Sequence, residues 1–165
     1  MERANRLPED PTELEQLLMR GASTVRQVEA AERLVLRVPQ LRAWLIERGF
    51  LAVRRQGDFV YASTYFEEAV DAAVEILRGG HQALADTGLT MSGFSVLGVA
   101  ANLSGQVQNS LRYAAHTIDD DDAKLVAEAV LYALGYMDAT VDVHGNEVDG
   151  WGPNSLAYEE RLENL

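Results

Sequence analysis

Between residues 24 and 61 the spacing of apolar residues changes once, and that change restricts what the chain can fold into. Val25, Val28, Ala31 and Leu34 recur every third residue, the step of a helix that buries one stripe. After Pro39, which suits a first helical turn because its missing N–H would have no partner there, Leu41, Trp44, Leu45 and Phe50 give a second buried stripe ending at Gly49. From Leu51 the period drops to two. Leu51 and Val53 alternate, Arg54, Arg55, Gln56, Gly57 and Asp58 make a turn, and Phe59, Val60 and Tyr61 return. Two helices followed by a β-hairpin are therefore expected.

The same reading extends along the chain. A short helix is predicted from Pro11 or Thr12 to about Met19, closed by Gly21, with Ser23 and Thr24 offering N-caps to the next helix and LVLRV at 34–38 breaking it. Thr64 and Glu67 have the spacing of a capping box for a helix to about Leu77, which Arg78, Gly79 and Gly80 terminate. A short helix follows at 82–86, then a long one at about 92–116. In the long helix Gly93, Gly98 and Gly105 predict close approach by another helix, since each glycine costs about 1 kcal/mol against alanine. Asp119 to Asp122 precede a helix carrying Leu125, Val126, Ala129, Val130, Ala133 and Leu134. A hairpin around His144, Gly145 and Asn146 and an extended acidic tail close the chain.

The fold class so predicted is mainly α: an N-terminal helix-turn-helix with a small hairpin, a helical acidic region, and a terminal hairpin and tail. The expected divisions are residues 1–62, 63–137 (a helical bundle or oligomerisation region) and 138–165. Charge divides at the first of these boundaries. Residues 1–62 hold ten Arg and nine Asp/Glu, a net charge of +1, whereas residues 63–165 hold three Arg, one Lys and seventeen Asp/Glu, a net charge of −13. With −12 overall, nucleic acid is expected to meet only a local patch of the protein, because phosphate binding relies on Lys and Arg displacing counterions.

The chain has no cysteine, which excludes disulfides, thiolate zinc sites, iron–sulfur clusters and a cysteine nucleophile. Its apolar runs fall short of the roughly 18 residues a membrane span requires, and MERANRLPEDP lacks the apolar core of a signal peptide. A soluble protein is expected, cytoplasmic or incorporated in a virus particle, with no membrane partner and no cofactor.

The order Thr24, Val25, Ala30, Ala31, Leu34, Leu41, Arg42, Trp44, Leu45, Gly49, Leu51, Ala52, Val53 and Arg54 resembles the winged helix-turn-helix of the MerR-like and excisionase-like class. It also resembles the N-terminal module of some phage small terminase subunits. The likeness covers about 40 residues. It implies that the second helix of the pair enters the major groove while the hairpin wing touches flanking backbone or minor groove. On this chain the groove candidates are Arg37, Gln40 and Arg42, and the wing candidates are Arg54, Arg55 and Gln56. Arginine suits either role, since its planar fork binds a guanine edge or a phosphate at two points. A plain solvated face is the alternative for these arginines, and Leu41, Trp44 and Leu45 read as core.

Other constellations point away from catalysis and metal binding. His81, His116 and His144 lack the paired spacing of a helical metal site. In DVHGNEVDG the glycine stands at the wrong offset for a calcium loop and the closing glutamate is missing. Gly93 and Gly98 are one residue too far apart for a nucleophile elbow. Two readings stand. One is a non-enzymatic DNA-binding protein, a regulator, excisionase-like factor or DNA-packaging accessory, that contacts double-stranded DNA through the winged module and homo-oligomerises or binds a protein partner through its acidic helices or tail. The other is a structural interaction protein, such as a viral head-to-tail adaptor or another assembly subunit, in which the winged module is a packing unit.

Overall fold

Two prolines set where helices begin, and glycines and buried polar groups decide how the helices meet. The computed structural model describes residues 7–108 and 117–135. It is mainly α, with one two-stranded antiparallel hairpin after three N-terminal helices, as the sequence predicts. The hairpin and tail predicted in residues 138–165 lie outside the described residues.

Helix α1 (Pro11–Ala22) starts at Pro11, with Asp10 as N-cap accepting a 2.9 Å bond from the Thr12 N–H. It runs past the predicted end at Met19, and Gly21 lies inside it rather than closing it. The reason is tertiary. A Cβ at Gly21 would sit 2.0 Å from the carbonyl oxygen of Ala62, so only glycine lets this helix lie directly on the hairpin backbone. Ser23 and Thr24 also depart from expectation: both adopt left-handed conformations (φ 53° and 65°) that end α1. The N-cap of α2 (Arg26–Arg37) is instead Val25, without a side-chain cap.

The predicted break at 34–38 narrows to a single residue, Val38. Leu34, Val35 and Leu36 are buried in the last turn of α2, which packs against α1, α3 (Pro39–Glu47) and two later helices. Leu34, Val35 and Leu36 are consecutive apolar residues with no polar residue between them, so the stripe visible upstream is lost locally even though α2 keeps an exposed polar face through Arg26, Gln27 and Arg37. Only Val38 separates α2 from α3. Pro39 holds it extended (φ −105°, ψ 96°), because the residue before a proline is excluded from the helical region.

After α3, Gly49 turns the chain at φ +75° and Phe50 lies beyond the helix rather than in its stripe, its ring 5.5 Å from that of Trp44. The strands β1 (Leu51–Gln56) and β2 (Phe59–Thr64) pair in the register Leu51↔Thr64 to Gln56↔Phe59. Arg54, Arg55 and Gln56 therefore belong to the strand, and the turn is Gly57 and Asp58 alone. Gly57 has φ +62° and Asp58 is not left-handed, the pattern of a type II′ hairpin turn.

The remaining helices are α4 (Phe66–Leu77), α5 (His81–Ala85), α6 (Met91–Leu103) and α7 (Asp120–Ala133). No capping box forms at Thr64, because that residue is engaged by Glu32; Tyr65 takes the N-cap position, and the Phe66 N–H donates to Gln106 Oε1 at 3.1 Å. Helix α6 stops at Leu103 rather than running on through Gly105, where the chain turns (φ +76°); residues 109–116 of the predicted helix lie outside the described residues. Among the described residues no atom lies within 4 Å of a would-be Cβ at Gly98, and Gly93 faces the side chains of Leu89, Thr90 and Gln40, so neither meets a helix backbone there. The aspartates do more than precede α7: Asp119 is its N-cap and Asp120, Asp121 and Asp122 form its first turn. Asp119 accepts from the Asp122 N–H at the start of α7, while the buried Asp122 carboxylate receives the Ser92 hydroxyl at 2.5 Å and ties α7 to α6.

One apolar core runs through both sides of residue 62. Leu18, Leu34, Leu41, Trp44, Leu45 and Leu51 share it with Phe66, Leu84, Leu89 and Leu97, all fully enclosed. The Trp44 indole N–H is satisfied by Thr87 Oγ1 at 3.1 Å.

Within this core, Glu32 on α2 receives the Thr64 N–H at 3.0 Å and the Thr64 hydroxyl at 2.6 Å. Burial pushes its carboxyl from 4.5 up to about 7, with the two bonds from Thr64 pulling the other way. The folded protein thus binds this proton more tightly than the unfolded chain. Its contribution to stability is complete below pH 4.5 and is lost as the pH rises through 7.

Two stability measurements follow. In urea denaturation, Gly21→Ala is expected to lose about 2 kcal/mol or more through the clash with backbone, whereas Gly98→Ala, with open space around it, gains up to about 1 kcal/mol. Comparing wild type with Glu32→Gln at pH 5 and pH 8, the variant gains relative to wild type on going to the higher pH, by on the order of 3 kcal/mol at most. A pH-independent difference contradicts the proton linkage assigned to Glu32.

Candidate nucleic-acid interface

The six residues singled out for DNA contact separate into two groups. Arg37, Gln40 and Arg42 stand at the junction of α2 and α3, and each is engaged with the rest of the protein. Arg37 Nη1 donates to Glu128 Oε2 of α7 at 2.5 Å, with the two side chains 35% and 26% exposed. Arg42 is half-buried and donates to the Leu36 carbonyl at 3.3 Å, occupying an acceptor at the end of α2 that has no partner within its own helix. Gln40, also half-buried, lies against α6 beside Gly93. The exposed residues of α3 are Pro39, Ala43, Ile46 and Glu47, which present no guanidinium fork to a base edge.

Arg54, Arg55 and Gln56 are all exposed. The inner half of the hairpin is anchored, with Leu51, Ala62 and Thr64 buried; burial fades outward along β1 until the last three residues stand in solvent. Cross-strand register places Arg54 opposite Tyr61 and Gln56 opposite Phe59 on one face, and Arg55 opposite Val60 on the other. The Arg54 guanidinium lies 4.5 Å over the Tyr65 ring, which steadies it while leaving its outer edge exposed.

Phe59 belongs to this surface and was not singled out from the sequence. It is 50% exposed and stacks on Tyr61 at a centroid distance of 5.6 Å. Alternation along a strand reads an aromatic as core-facing. The available signal was its position immediately after the turn, where a hairpin overhangs its support.

An open groove between α1 and α2 is lined by Glu15, Met19, Arg20, Glu29, Arg33 and Phe59, among others. Its acids and bases balance. Arg33 Nε is 2.9 Å from Glu15 Oε1, an ion pair without the angle of a hydrogen bond, and the guanidinium lies 5.4 Å over Tyr132. The Tyr132 hydroxyl donates to Glu29 Oε2 at 2.5 Å; burial first, then this bond, pushes its pKa up to about 12, so it stays a donor at all ordinary pH. These groups join α1, α2 and α7.

Among the described residues, no three His, Cys, Asp or Glu are grouped to hold a metal ion, and no helix is long and apolar enough to cross a membrane. No protein-family model matches the chain, and comparison with characterised proteins and with solved structures yields no match either.

Proposed function

We propose that this chain binds double-stranded DNA without catalysing a reaction, and that the hairpin is its principal contact. The observation that carries this reading is the exposed run Arg54, Arg55 and Gln56 on the outer half of a hairpin whose inner half is locked in the core. Arg54 and Arg55 on opposite faces suit phosphates on the two sides of a groove, and Gln56 adds a donor and an acceptor near the tip. Residues 63–165 carry a net charge of −13, so repulsion by the phosphate backbone turns that part away and presents the hairpin.

In this proposal α3 has a smaller role than the resemblance implies. Arg37 and Arg42 reach a groove only by leaving Glu128 and the Leu36 carbonyl. Pro39, Ala43 and Ile46 offer apolar contact alone. A regulator, an excisionase-like factor and a packaging accessory all accommodate such a contact, strengthened by a homo-oligomer that presents several hairpins at once. One observation favours the second reading, a structural interaction protein: Ile46 is 37% exposed beside Pro39 and Ala43, a surface better matched to another protein than to phosphate.

Gel shifts with a mixed-sequence duplex across a salt series test the proposal. Binding is expected at low salt and weakens as salt rises. The double reversal Arg54→Glu, Arg55→Glu reduces affinity at least about tenfold and lowers the log–log salt slope by about two. Absence of binding at low salt, or binding unchanged by the double reversal, overturns it and leaves the interaction protein.

A further inference from the structure

We infer that Phe59 is an inserting side chain that stacks against a base step opened in duplex DNA. The inference rests on the DNA reading above and adds to it the group that meets the bases. Four observations converge on it. Phe59 is half exposed, at 50%, while Trp44 and Phe66 are enclosed in the core at 1% and 0%. It occupies the outermost pair of the hairpin, opposite Gln56 and directly after the turn. Behind it Tyr61 stacks at 5.6 Å, and Tyr61 is itself backed by α1, its Cδ2 lying 3.3 Å from the position a Cβ at Gly21 would take. The ring is thus held against Tyr61 at the rim of the groove beside α1, with half its surface open to solvent.

The fourth observation is the order of charges along the hairpin. Asp58 stands at the tip, while Arg54 and Arg55 stand back from it along β1. A carboxylate repels phosphate, so the tip fits the floor of a groove, where an acidic oxygen can accept from a base amino group, better than it fits the backbone. The arginines behind it are then level with the sugar–phosphate walls. An aromatic ring on that floor has one strong use. In an intact duplex the base faces are covered by their neighbours, and an apolar side chain gains stacking area by entering a step that has opened. A duplex with a step already opened spares the protein the unstacking and is expected to bind more tightly.

The test is a fluorescence-anisotropy titration of the full chain at low salt with two labelled duplexes of the same sequence, one intact and one carrying a single unpaired base at its centre. Wild type is expected to bind the bulged duplex at least about tenfold more tightly. Phe59→Ala binds both duplexes with the affinity wild type shows for the intact one. Phe59→Leu, which keeps apolar volume, retains part of the preference, and Arg55→Glu weakens binding to both duplexes in equal proportion. Thermal unfolding by circular dichroism establishes that each variant is folded, as expected for changes at exposed positions. Equal wild-type affinity for the two duplexes, or a preference that survives Phe59→Ala, overturns the insertion while leaving DNA binding in place. If wild type binds neither duplex, the DNA reading itself fails and the insertion fails with it.

Discussion

The contact between Glu32 and Thr64 is the one on which the arrangement of this protein depends. It joins the middle of α2 to the residue at which β2 ends and α4 is about to begin, through both oxygens of one carboxyl group. A carboxyl buried so far from water is costly unless its oxygens are bonded, so this corner tolerates little displacement. Hairpin and helical region are thereby tied together, with Arg54, Arg55, Gln56 and Phe59 exposed toward the outer end of the hairpin. Gly21 completes the clamp from the other side by letting α1 rest on the backbone of Ala62.

Polar ties of the same kind recur between α7 and the rest of the molecule. Ser92 meets Asp122, Arg37 meets Glu128, and Tyr132 meets Glu29, linking the last described helix to α6 and α2. The acidic part of the chain is thus partly neutralised by the arginine-bearing part where they touch. Arg37 is tied to Glu128 by this, while Arg54 and Arg55 stand exposed on the hairpin. Charge that divides cleanly along the sequence is redistributed in space, because an arginine near a carboxylate in a partly desolvated corner gains more than one in water.

Much of the fold was legible in residue order. The helical spacing around Leu34, Leu41 and Leu45, the start at Pro39, the hairpin from Leu51 and the capping aspartate Asp119 depend on chain neighbours alone, and each stands where predicted. At Gly21 and Thr64 what misled was a residue whose job is set by a distant partner. Gly21 reads as a stop and is a contact surface for β2; Thr64 reads as a helix cap and is bound by Glu32, 32 residues away. The apolar run at 34–38 reads as a break because three consecutive apolar residues hide the helical period locally, although the helix continues to Arg37. Of the proposed contact surface, Arg54, Arg55 and Gln56 were legible as exposed, and Phe59 was not, since nothing local shows where a strand outruns the core beneath it.

By itself, then, the sequence determined the types and order of the described elements, the absence of thiol chemistry and the uneven charge, since these follow from periodicity, turn residues and composition. Only the tertiary structure decided which of six candidate side chains stand free of the protein's own acceptors, where the hairpin leaves its support, and that Arg37 and Arg42 are engaged internally. The physical reason is that helix spacing and turns are short-range properties of the backbone. Burial, ion pairing and overhang are properties of surfaces that meet only once the chain has folded.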